Sequence, residues 1–336
     1  MDGKVKVAIV GCGDIANRHI VGLKKFEDIE FVGFYDLVKS NSEKTAQMSG
    51  SGKGFDCYVT MLDESKPDAL YVCVPPNQHG MIEFEAIKRG IHMLIQKPIT
   101  TDIDLAVKIC DLANQHNIII SVGFQDRYMD IIEPMKELLN SRKIGLINGA
   151  WAGGIPESPW WRKRSSSGGQ IIEQTIHHFD MLRYLIGEPI SIYTASGKGI
   201  INLLTQNLIG YDVEEYSTTT ITFKNGSIAN IFSGNYFEKG GGMKNCLVFY
   251  AANSTIEYSL RNKVALIIGN EIEKEFIKKE DQMVMLDRTF INAIKSGSVS
   301  DISKIRSSYA DAIKTLRFVL AANMSIDTGK VIDLDL

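Results

Sequence analysis

Three small residues near the start of the chain have the spacing of a phosphate-binding turn. Gly11, Gly13 and Ala16 form a G-x-G-x-x-A pattern directly after a short β-branched apolar run at residues 5–10. Such glycines allow a tight turn and a close approach to a pyrophosphate, and the helix that follows offers N–H donors and a partial positive charge. A second apolar run ends about 20 residues later at Asp36, where a ribose-binding acid is expected. The pattern therefore predicts a dinucleotide-binding strand–turn–helix unit.

The residues after Asp36 indicate which dinucleotide fits. Leu37 and Val38 follow the carboxylate, and no arginine stands beside it. A 2′-phosphate would face that carboxylate at a cost of roughly 4 kcal/mol for unit charges about 4 Å apart at an effective dielectric constant of about 20. The sequence thus predicts NAD rather than NADP, although Lys39 is one cation that would favour the phosphate.

Lys97 is the first candidate for substrate chemistry. It follows the apolar run at residues 91–95 and Gln96, and Pro98 restricts its backbone to an extended conformation. Ligands of open parallel sheets bind beyond the carboxyl ends of the strands, and a lysine there can bind a substrate oxygen and help to move its proton. The alternative is an ordinary solvated lysine, and the position favours the functional interpretation.

A helix predicted over about residues 170–186 carries the second candidate group. Glu173, His177 and Asp180 fall at i, i+4 and i+7 and so share one helical face. A carboxylate one turn from a histidine can orient the ring and raise its basicity, as a general acid/base requires. The spacing fits a solvated face with helix ion pairs equally well. The neighbouring His178 is predicted to be structural.

The segment Trp160-Trp161-Arg162 is the third candidate feature. Tryptophan faces suit the C–H surfaces of sugars, and arginine suits hydroxyl-rich or anionic groups. Burial as an anchor of the loop is an equally good interpretation for at least one of the two tryptophans.

The elements that must position these residues fall into two groups. Strand-like and helix-like segments alternate through residues 1–123, which predicts a doubly wound α/β domain. Residues 124–336 are strand-rich and predict an α+β domain with a large, mostly antiparallel sheet. Asn225-Gly226 lies between two alternating runs and is the strongest hairpin signal. A length of 336 residues also favours two domains.

Composition excludes several classes of partner. A net charge of −3 gives no reason to expect nucleic acid or an anionic membrane, and no apolar run approaches the ~20 residues that span a bilayer. The first strand begins too early to leave room for a signal peptide. Five scattered cysteines without C-x-x-C spacing predict free thiols in a reducing cytoplasm, with Cys12 as a filler rather than a reactive group. His19, His92 and His116 are isolated, no histidine pair has metal-binding spacing, and no metal is predicted.

Together these motifs resemble the oxidoreductase family named for glucose–fructose oxidoreductase, inositol dehydrogenase and the rhizopine-catabolism proteins (Gfo/Idh/MocA). The resemblance covers nearly the whole chain and rests on six segments: residues 11–16, Asp36, residues 74–79 (Val-Pro-Pro-Asn-Gln-His), residues 96–98 (Gln-Lys-Pro), residues 122–127 (Val-Gly-Phe-Gln-Asp-Arg) and residues 168–180. It implies an N-terminal Rossmann domain, a C-terminal sheet domain that often forms dimers or tetramers, and hydride transfer between NAD(P) and a sugar, polyol or related carbonyl compound.

The resemblance, together with the residue chemistry described above, predicts roles for individual residues. Lys97, His177 and Glu173 would be catalytic. The predicted substrate contacts are Lys97, Trp161, Arg162, Glu173 and His177. The predicted cofactor contacts are Gly11, Gly13, Asp14, Ile15, Asp36, Val74, Pro75, Asn77, His79, Gln96, Lys97 and Gln125.

Two residues depart from the family pattern. Gln96 stands where a glutamate is usual; its amide can bond a ribose hydroxyl but cannot pair with Lys97 as a carboxylate would. Glu173 stands where an aspartate is usual and is followed by Gln174. The substrate and the proton path are therefore left open.

Three functions are compatible with the sequence. The first is an NAD(P)-dependent dehydrogenase or reductase of a sugar, polyol or related carbonyl compound. The second is a non-catalytic NAD-binding sensor or regulator, and the third is a hydrolase or epimerase that uses NAD in a transient oxidation. A homodimer or homotetramer is expected, because a large sheet covered by helices on one face leaves the other face to be buried.

Overall fold

The structure, a computed structural model, describes residues 3–204, 210–237 and 244–336; Met1 and Asp2, with which the expected first domain begins, lie outside them. The chain divides into two compact units. One comprises Met1–Tyr128 with Glu280–Ile313, and the other comprises Met129–Lys279 with Lys314–Leu336.

The first unit begins as a regular alternation of strands and helices. Its elements up to residue 122 are β1 (Val5–Val10), α1 (Asp14–Leu23), β2 (Ile29–Tyr35), α2 (Lys39–Ser49), β3 (Lys53–Phe55), α3 (Tyr58–Ser65), β4 (Ala69–Val72), α4 (Met81–Lys88), β5 (His92–Ile95), α5 (Ile103–Gln115) and β6 (Ile120–Val122). Short 3₁₀ turns follow at Pro76–Gln78 and Gln125–Tyr128. This is the alternation of strands and helices that the sequence predicted for residues 1–123.

The six strands form one parallel sheet in the order β3-β2-β1-β4-β5-β6. This is the order of the dinucleotide-binding Rossmann fold, so the carboxyl ends of all six strands lie at one edge. Burial is nearly continuous along β1 and β4, as expected for strands covered on both faces. The predicted doubly wound domain is confirmed.

The second unit is built on a large sheet. Its elements before residue 280 are α6 (Ile132–Asn140), β7 (Ile144–Ala152), α7 (Arg164–Ser167), a π-helical turn (Ile171–Thr175), α8 (Ile176–Ile186), β8 (Pro189–Gly197), α9 (Ile201–Leu204), β9 (Tyr216–Phe223), β10 (Ile228–Gly234), β11 (Cys246–Ala251), β12 (Thr255–Ser259), β13 (Lys263–Ile268) and β14 (Glu271–Ile277). The chain ends with α10 (Gln282–Ser296), α11 (Val299–Ile302), α12 (Tyr309–Thr328) and β15 (Ile332–Asp333).

The nine strands of this sheet run in the order β14-β13-β12-β11-β7-β10-β9-β8-β15. Within the described residues of this second sheet, only the pair β7–β10 is parallel. The predicted hairpin at Asn225-Gly226 joins β9 and β10, and Gly226 adopts the positive φ that such a turn requires. The predicted α+β domain with a mostly antiparallel sheet is confirmed.

The division differs from the expected boundary at residue 123 in two segments, of which the shorter, residues 124–128, extends the first unit by five residues. The expectation placed all of residues 124–336 in the second domain, whereas Glu280–Ile313 clusters with the first unit. The physical reason is burial: Leu286 and Phe290 of α10 lie in the same hydrophobic cluster as Val7 and Ile9 of β1. The apolar face of α10 thus completes the core beside the parallel sheet.

Candidate active site

The glycine turn after β1 has the geometry of a phosphate-binding turn. Gly11 has a φ of +85°, and a Cβ there would lie 2.2 Å from the carbonyl oxygen of Cys73, so only glycine fits. Gly13 is the N-cap of α1 and has no side chain with which to cap it, and a Cβ on Gly13 would meet no atom of the described residues within 4 Å. The space beside Gly13 at the start of α1 is therefore open, and an anion there can bind the first N–H groups of the helix. Burial raises the pKa of the Cys12 thiol to about 11, which agrees with its predicted role as a filler.

Asp36 follows β2 and lies beside this turn. One carboxylate oxygen accepts from the backbone N–H of Cys12 at 2.9 Å, and the other accepts from the N–H of Val38 at 2.9 Å and from Asn41 at 3.1 Å. These bonds fix the carboxylate without using all of its acceptor sites. Asp36 can thus still bind a ribose hydroxyl. Asp14, in the first turn of α1, is exposed, and Ile15 is half-buried.

The loop after β4 brings His79 into a buried hydrogen-bonded pair with Glu83. Its Nδ1 lies 2.6 Å from Oε1 of Glu83, and Oε2 of Glu83 accepts from the backbone N–H of Gly80 at 2.6 Å. His79 Nε2 is buried and has no hydrogen-bond partner among the residues that the structure describes. Of the other predicted cofactor contacts in this loop, Asn77 is exposed, and Val74 and Pro75 are half-buried. Glu83, four residues after His79, was missed at the sequence level although its spacing is that of a helical pair.

Lys97 lies at the carboxyl edge of the same sheet, two residues after the end of β5. It is half-buried and is joined to Pro98 by a cis peptide bond. Gln96 is 3% exposed, and its side chain lies against Gly123, where a Cβ would come within 2.4 Å of Oε1. Gln125, in the 3₁₀ turn after β6, is buried. Because β1, β4, β5 and β6 are parallel neighbours, their carboxyl ends place Gln96, Lys97 and the glycine turn on one edge of the sheet.

Gln96 has a partner that the sequence did not predict. Its Nε2 lies 2.6 Å from Nε2 of His19, and Nδ1 of His19 lies 2.7 Å from Oδ1 of Asp287. His19 is fully buried, so the expectation that it is isolated was wrong. No local pattern could have revealed this contact, because 268 residues separate His19 from Asp287.

In the second unit, the helix that carries Glu173 and His177 differs from the predicted α-helix. Residues Ile171–Thr175 form a π-helical turn, and regular α-helix begins only at Ile176. Glu173 and His177 are 7% and 5% exposed, so the alternative of a solvated face is wrong. The π turn also changes the angular spacing between them, because the α-helical period assumed for residues 173–180 does not hold through this turn.

Aromatic and polar contacts hold this helix. The ring of His177 stacks on Trp151 of β7 at 5.5 Å with an interplanar angle of 14°. His178 binds the carbonyl oxygen of Ala150 through Nε2 at 2.9 Å, as expected of a structural residue. Asp180 is buried and accepts from the hydroxyl of Thr315 at 2.8 Å, so its role is to hold α8 against α12.

Glu214 caps this helix and was missed at the sequence level. Its Oε1 accepts from the N–H of Ile171 at 3.0 Å, and Gly169, with a φ of +108°, leaves room for the carboxylate because a Cβ would lie 2.8 Å from Oε2. Burial raises the pKa of Glu214. A side chain 43 residues away thus fixes the start of the segment that bears Glu173 and His177.

The predicted substrate contacts Trp161 and Arg162 lie in the loop before this helix. Trp160 and Trp161 stack at 6.2 Å, and the indole nitrogen of Trp161 is buried without a hydrogen-bond partner among the described residues. Arg162 donates to the carbonyl oxygens of Pro156 at 2.6 Å and Glu157 at 2.9 Å. Part of the Arg162 guanidinium is thus used to shape its own loop.

The described residues hold neither a cluster of metal ligands nor a membrane-spanning helix. Within residues 3–204, 210–237 and 244–336, no group of three or more His, Cys, Asp or Glu side chains could hold a metal ion. In the same part of the chain, no helix is both long enough and apolar enough to cross a membrane.

Two protein-family models match the chain. One is described as "Oxidoreductase family, NAD-binding Rossmann fold" and matches residues 5–124; the other is described as "GFO/IDH/MocA C-terminal domain" and matches residues 132–256. Together they cover well over half of the chain.

Individual relatives are similar over long stretches. A D-glucoside 3-dehydrogenase of Escherichia coli is 26% identical over 240 residues, which are 67% of this chain and 68% of the relative. A scyllo-inositol 2-dehydrogenase (NAD(+)) of Bacillus subtilis is 22% identical over 346 aligned residues, which cover 100% of this chain and 98% of the relative. The WlbA dehydrogenase of Bordetella pertussis, solved in complex with NADH and UDP-GlcNAcA, has the same fold, with a TM-score of 0.82 at 18% identity over 99% of both chains.

Proposed function

Since this chain belongs to the GFO/IDH/MocA oxidoreductase family, we propose that it transfers a hydride between NAD and a carbon of a sugar, polyol or related carbonyl compound. Family membership makes the chain an NAD-binding oxidoreductase with a Rossmann fold. The proposal concerns its substrate class, the roles of its residues, its assembly and its compartment. The names of the relatives, dehydrogenases of a glucoside and of an inositol, support the substrate class.

One observation carries the proposal: Lys97 lies on the same sheet edge as the uncapped amino terminus of α1. The open space at Gly13 fits a pyrophosphate, and the carboxylate of Asp36 fits a ribose hydroxyl. A phosphate-binding turn alone would be equally compatible with a non-catalytic NAD-binding sensor. A half-buried ammonium on the same edge supplies a group that can stabilise charge on a substrate oxygen.

The cofactor supplies the hydride chemistry, and side chains of the protein handle the proton and the substrate oxygen. When bound, NAD accepts the hydride or, in its reduced form, supplies it. Lys97 donates a hydrogen bond to the substrate oxygen on which charge develops. His177 accepts the hydroxyl proton during oxidation and returns it during reduction, while Glu173 assists as the nearby carboxylate. Trp161 and Arg162 bind the rest of the substrate.

Lys97→Met tests the proposal directly. Turnover on any active member of a panel of sugars, polyols and sugar acids is expected to fall by about 10²–10⁴-fold, because a positioned proton-handling group contributes about this much. NAD affinity, measured by fluorescence titration, is expected to change far less. Lys88→Met, on the exposed end of α4, is the matched control and is expected to leave both unchanged.

The same panel separates the other two functions. Turnover that survives in Lys97→Met would overturn the role given to this lysine. Tight NAD binding with no NAD reduction on the whole panel would favour a sensor or regulator. Product formed without net NADH would favour a hydrolase or epimerase with a transient oxidation.

The protein assembles as a homodimer or homotetramer. The support is the face of the second sheet that points away from α8 and α12, which exposes large apolar side chains such as Leu146 (59%) and Ile228 (42%). Contiguous exposed apolar surface of this kind is typical of an interface.

The protein works in the cytoplasm. The support is that all five cysteines are free thiols in this fold, with Cys12 and Cys73 buried and their pKa values raised by burial. Thiol usage without disulfides is typical of a reducing compartment. Fractionation of cells that express the native gene tests this, and recovery outside the cytoplasmic fraction would contradict it.

A further inference from the structure

Three buried side chains of the first unit form a hydrogen-bonded chain that ends beside Lys97. Asp287 of α10 binds His19 of α1 at 2.7 Å, and His19 faces Gln96, the residue before Lys97, at 2.6 Å. The exposed fractions of the three are 0%, 0% and 3%. Tyr71 packs edge-on against the imidazole at 5.1 Å with an interplanar angle of 66°, which holds the ring plane. None of these contacts is needed to bind a pyrophosphate.

The atoms in contact determine the direction of the hydrogen bonds. Gln96 turns its amide nitrogen toward His19, and an amide nitrogen can only donate. The Nε2 of His19 must therefore carry a lone pair, so the hydrogen of the neutral ring lies on Nδ1. That hydrogen is donated to the carboxylate of Asp287. The chain thus requires the Nδ1–H tautomer of His19.

This direction leaves one acceptor free. The whole carboxamide of Gln96 lies against Gly123, just after β6, where an added Cβ would meet Oε1, Cδ and Nε2 at 2.4, 2.5 and 2.6 Å. Because Nε2 is used by His19, Oε1 is the atom that is left over. Oε1 is buried and has no hydrogen-bond partner within the described part of the chain. A buried acceptor without a partner costs about 1–3 kcal/mol, which a donor on a bound ligand would recover.

We infer that His19 and Asp287 are positioning residues that fix the carboxamide of Gln96, with its nitrogen bound to His19 and its carbonyl oxygen kept as a hydrogen-bond acceptor in the residue before Lys97. The inference rests on the proposed function only in that the donor, a hydroxyl group, arrives with the bound nucleotide. The orientation itself is a property of the free protein. It also gives a physical reason for the glutamine at position 96, where the family usually has a glutamate. The amide nitrogen can donate a hydrogen bond to the neutral ring of His19, and a carboxylate cannot.

The alternative orientation shows what Asp287 contributes. Without its carboxylate, Nδ1–H of His19 would have no acceptor in the core, and the ring would instead carry its hydrogen on Nε2. Gln96 would then rotate by about half a turn to offer Oε1 to that hydrogen. The amide nitrogen would replace the carbonyl oxygen in the residue before Lys97, and a hydroxyl donor would lose its acceptor.

The test reads the histidine tautomer by ¹⁵N NMR in the free, full-length protein. His19, assigned by comparison with His19→Gln, is expected as the neutral Nδ1–H form. His92 is an internal reference of the opposite type, because its Nδ1 accepts from the N–H of Ile119 at 3.0 Å and its hydrogen must lie on Nε2.

Asp287→Leu is expected to convert His19 to the Nε2–H form, and Asp287→Asn, which retains an acceptor, to preserve Nδ1–H. Gln96→Glu is expected to make His19 doubly protonated between two carboxylates.

NAD affinity supplies the second readout. Asp287→Leu is expected to weaken binding about tenfold, the equivalent of about 1.4 kcal/mol, and Asp287→Asn to restore most of it. An Nε2–H or doubly protonated His19 in the unmodified protein would overturn the inference, as would an Asp287→Leu variant that switches tautomer with unchanged NAD affinity. If Asp287→Leu does not fold, the tautomer of His19 in the unmodified protein and the protonation of His19 in Gln96→Glu still test the inference. If no substrate were oxidised or reduced, the proposed function would fail, but the tautomer measurement on the free protein would still test this inference.

Discussion

Two glycines of the nucleotide turn are required for opposite reasons. Gly11 is surrounded by protein, since an added Cβ would strike the backbone of Cys73 and its φ of +85° disfavours any other residue. Gly13 has an ordinary φ of −83° and open space around it. The first glycine is therefore needed by the fold, and the second by whatever occupies that space.

Gly13→Ala is expected to separate folding from binding. The new methyl group meets no protein atom, so the melting temperature should stay close to that of the parent protein. The same methyl group would occupy the space of a pyrophosphate, and NAD affinity should fall by about tenfold or more. Isothermal titration with NAD and a thermal melt measure the two effects.

Gly145→Ala is the matched control for this substitution. It also adds a methyl group where no atom lies within 4 Å, but in β7 of the other unit. It should change neither NAD affinity nor melting temperature appreciably. Unchanged NAD affinity in Gly13→Ala would contradict the placement of the pyrophosphate.

At the residue scale, the sequence revealed local relations and missed distant ones. The turn at residues 11–16 and the carboxylate of Asp36 were predicted because the fold repeats this spacing along the chain. The pairing of His79 with Glu83, four residues apart, was within reach of the same reasoning. The pairing of His19 with Asp287 was not, because only the packing of α10 brings its carboxylate to α1.

At the element scale, the segment of residues 171–186 combines two kinds of helix. A π-helical turn places one extra residue in the turn and is found often at functional sites. The side-chain pattern of residues 170–186 fits a continuous α-helix, so it could not reveal this turn. The capping carboxylate of Glu214 was equally hidden, since it belongs to the segment just before β9.

Glu214→Gln is expected to change how stability depends on pH. Burial raises the pKa of this carboxyl in the folded protein. The folded state therefore holds the proton more tightly than the unfolded state, and the associated stability is present at low pH and lost as pH rises through the folded pKa. Glutamine keeps the acceptor for the N–H of Ile171 without titrating. The variant should gain melting temperature relative to the parent as pH rises from about 5 to about 8.

Melting curves of the parent protein and Glu214→Gln at the two pH values give the difference directly. Asp102→Asn is a suitable control, since Asp102 caps α5 from an exposed position and asparagine caps about as well. Its melting curves at the same two pH values give the baseline for a capping carboxylate replaced by an amide. A Glu214→Gln variant whose relative stability falls as pH rises would contradict the raised pKa.

At the scale of the whole molecule, the nucleotide unit is discontinuous in sequence. Its parallel sheet comes from the first 128 residues, but its core includes Leu286, Phe290 and Ile291 of α10. A boundary drawn where strand–helix alternation stops was the natural expectation, because amphipathic helices such as α10 do not indicate which sheet they will cover. The residues that position Gln96 therefore come from both ends of the unit.

The second sheet presents two faces of different character. Along β9, Ser217, Thr219, Ile221 and Phe223 are buried, while the residues between them are exposed or half-buried. Strand register places Leu146, Ile228 and Tyr250 together on the exposed side, because Leu146 pairs with both of the others. The sequence predicted that helices would cover one face of this sheet, but only the structure shows how apolar the other face is.

Leu146→Lys combined with Ile228→Lys is expected to dissociate the proposed oligomer. Burying a large apolar side chain contributes about 1.5–3 kcal/mol, so two charged replacements should weaken association by more than about a hundredfold. Light scattering coupled to gel filtration at micromolar concentration measures the mass. Val299→Lys, at a position that is 84% exposed on α11, is the control and should leave the mass unchanged. A monomeric parent protein, or an unchanged mass in the double variant, would show that the apolar face has another purpose. A monomer that retains NAD affinity would show in addition that the nucleotide unit does not depend on assembly.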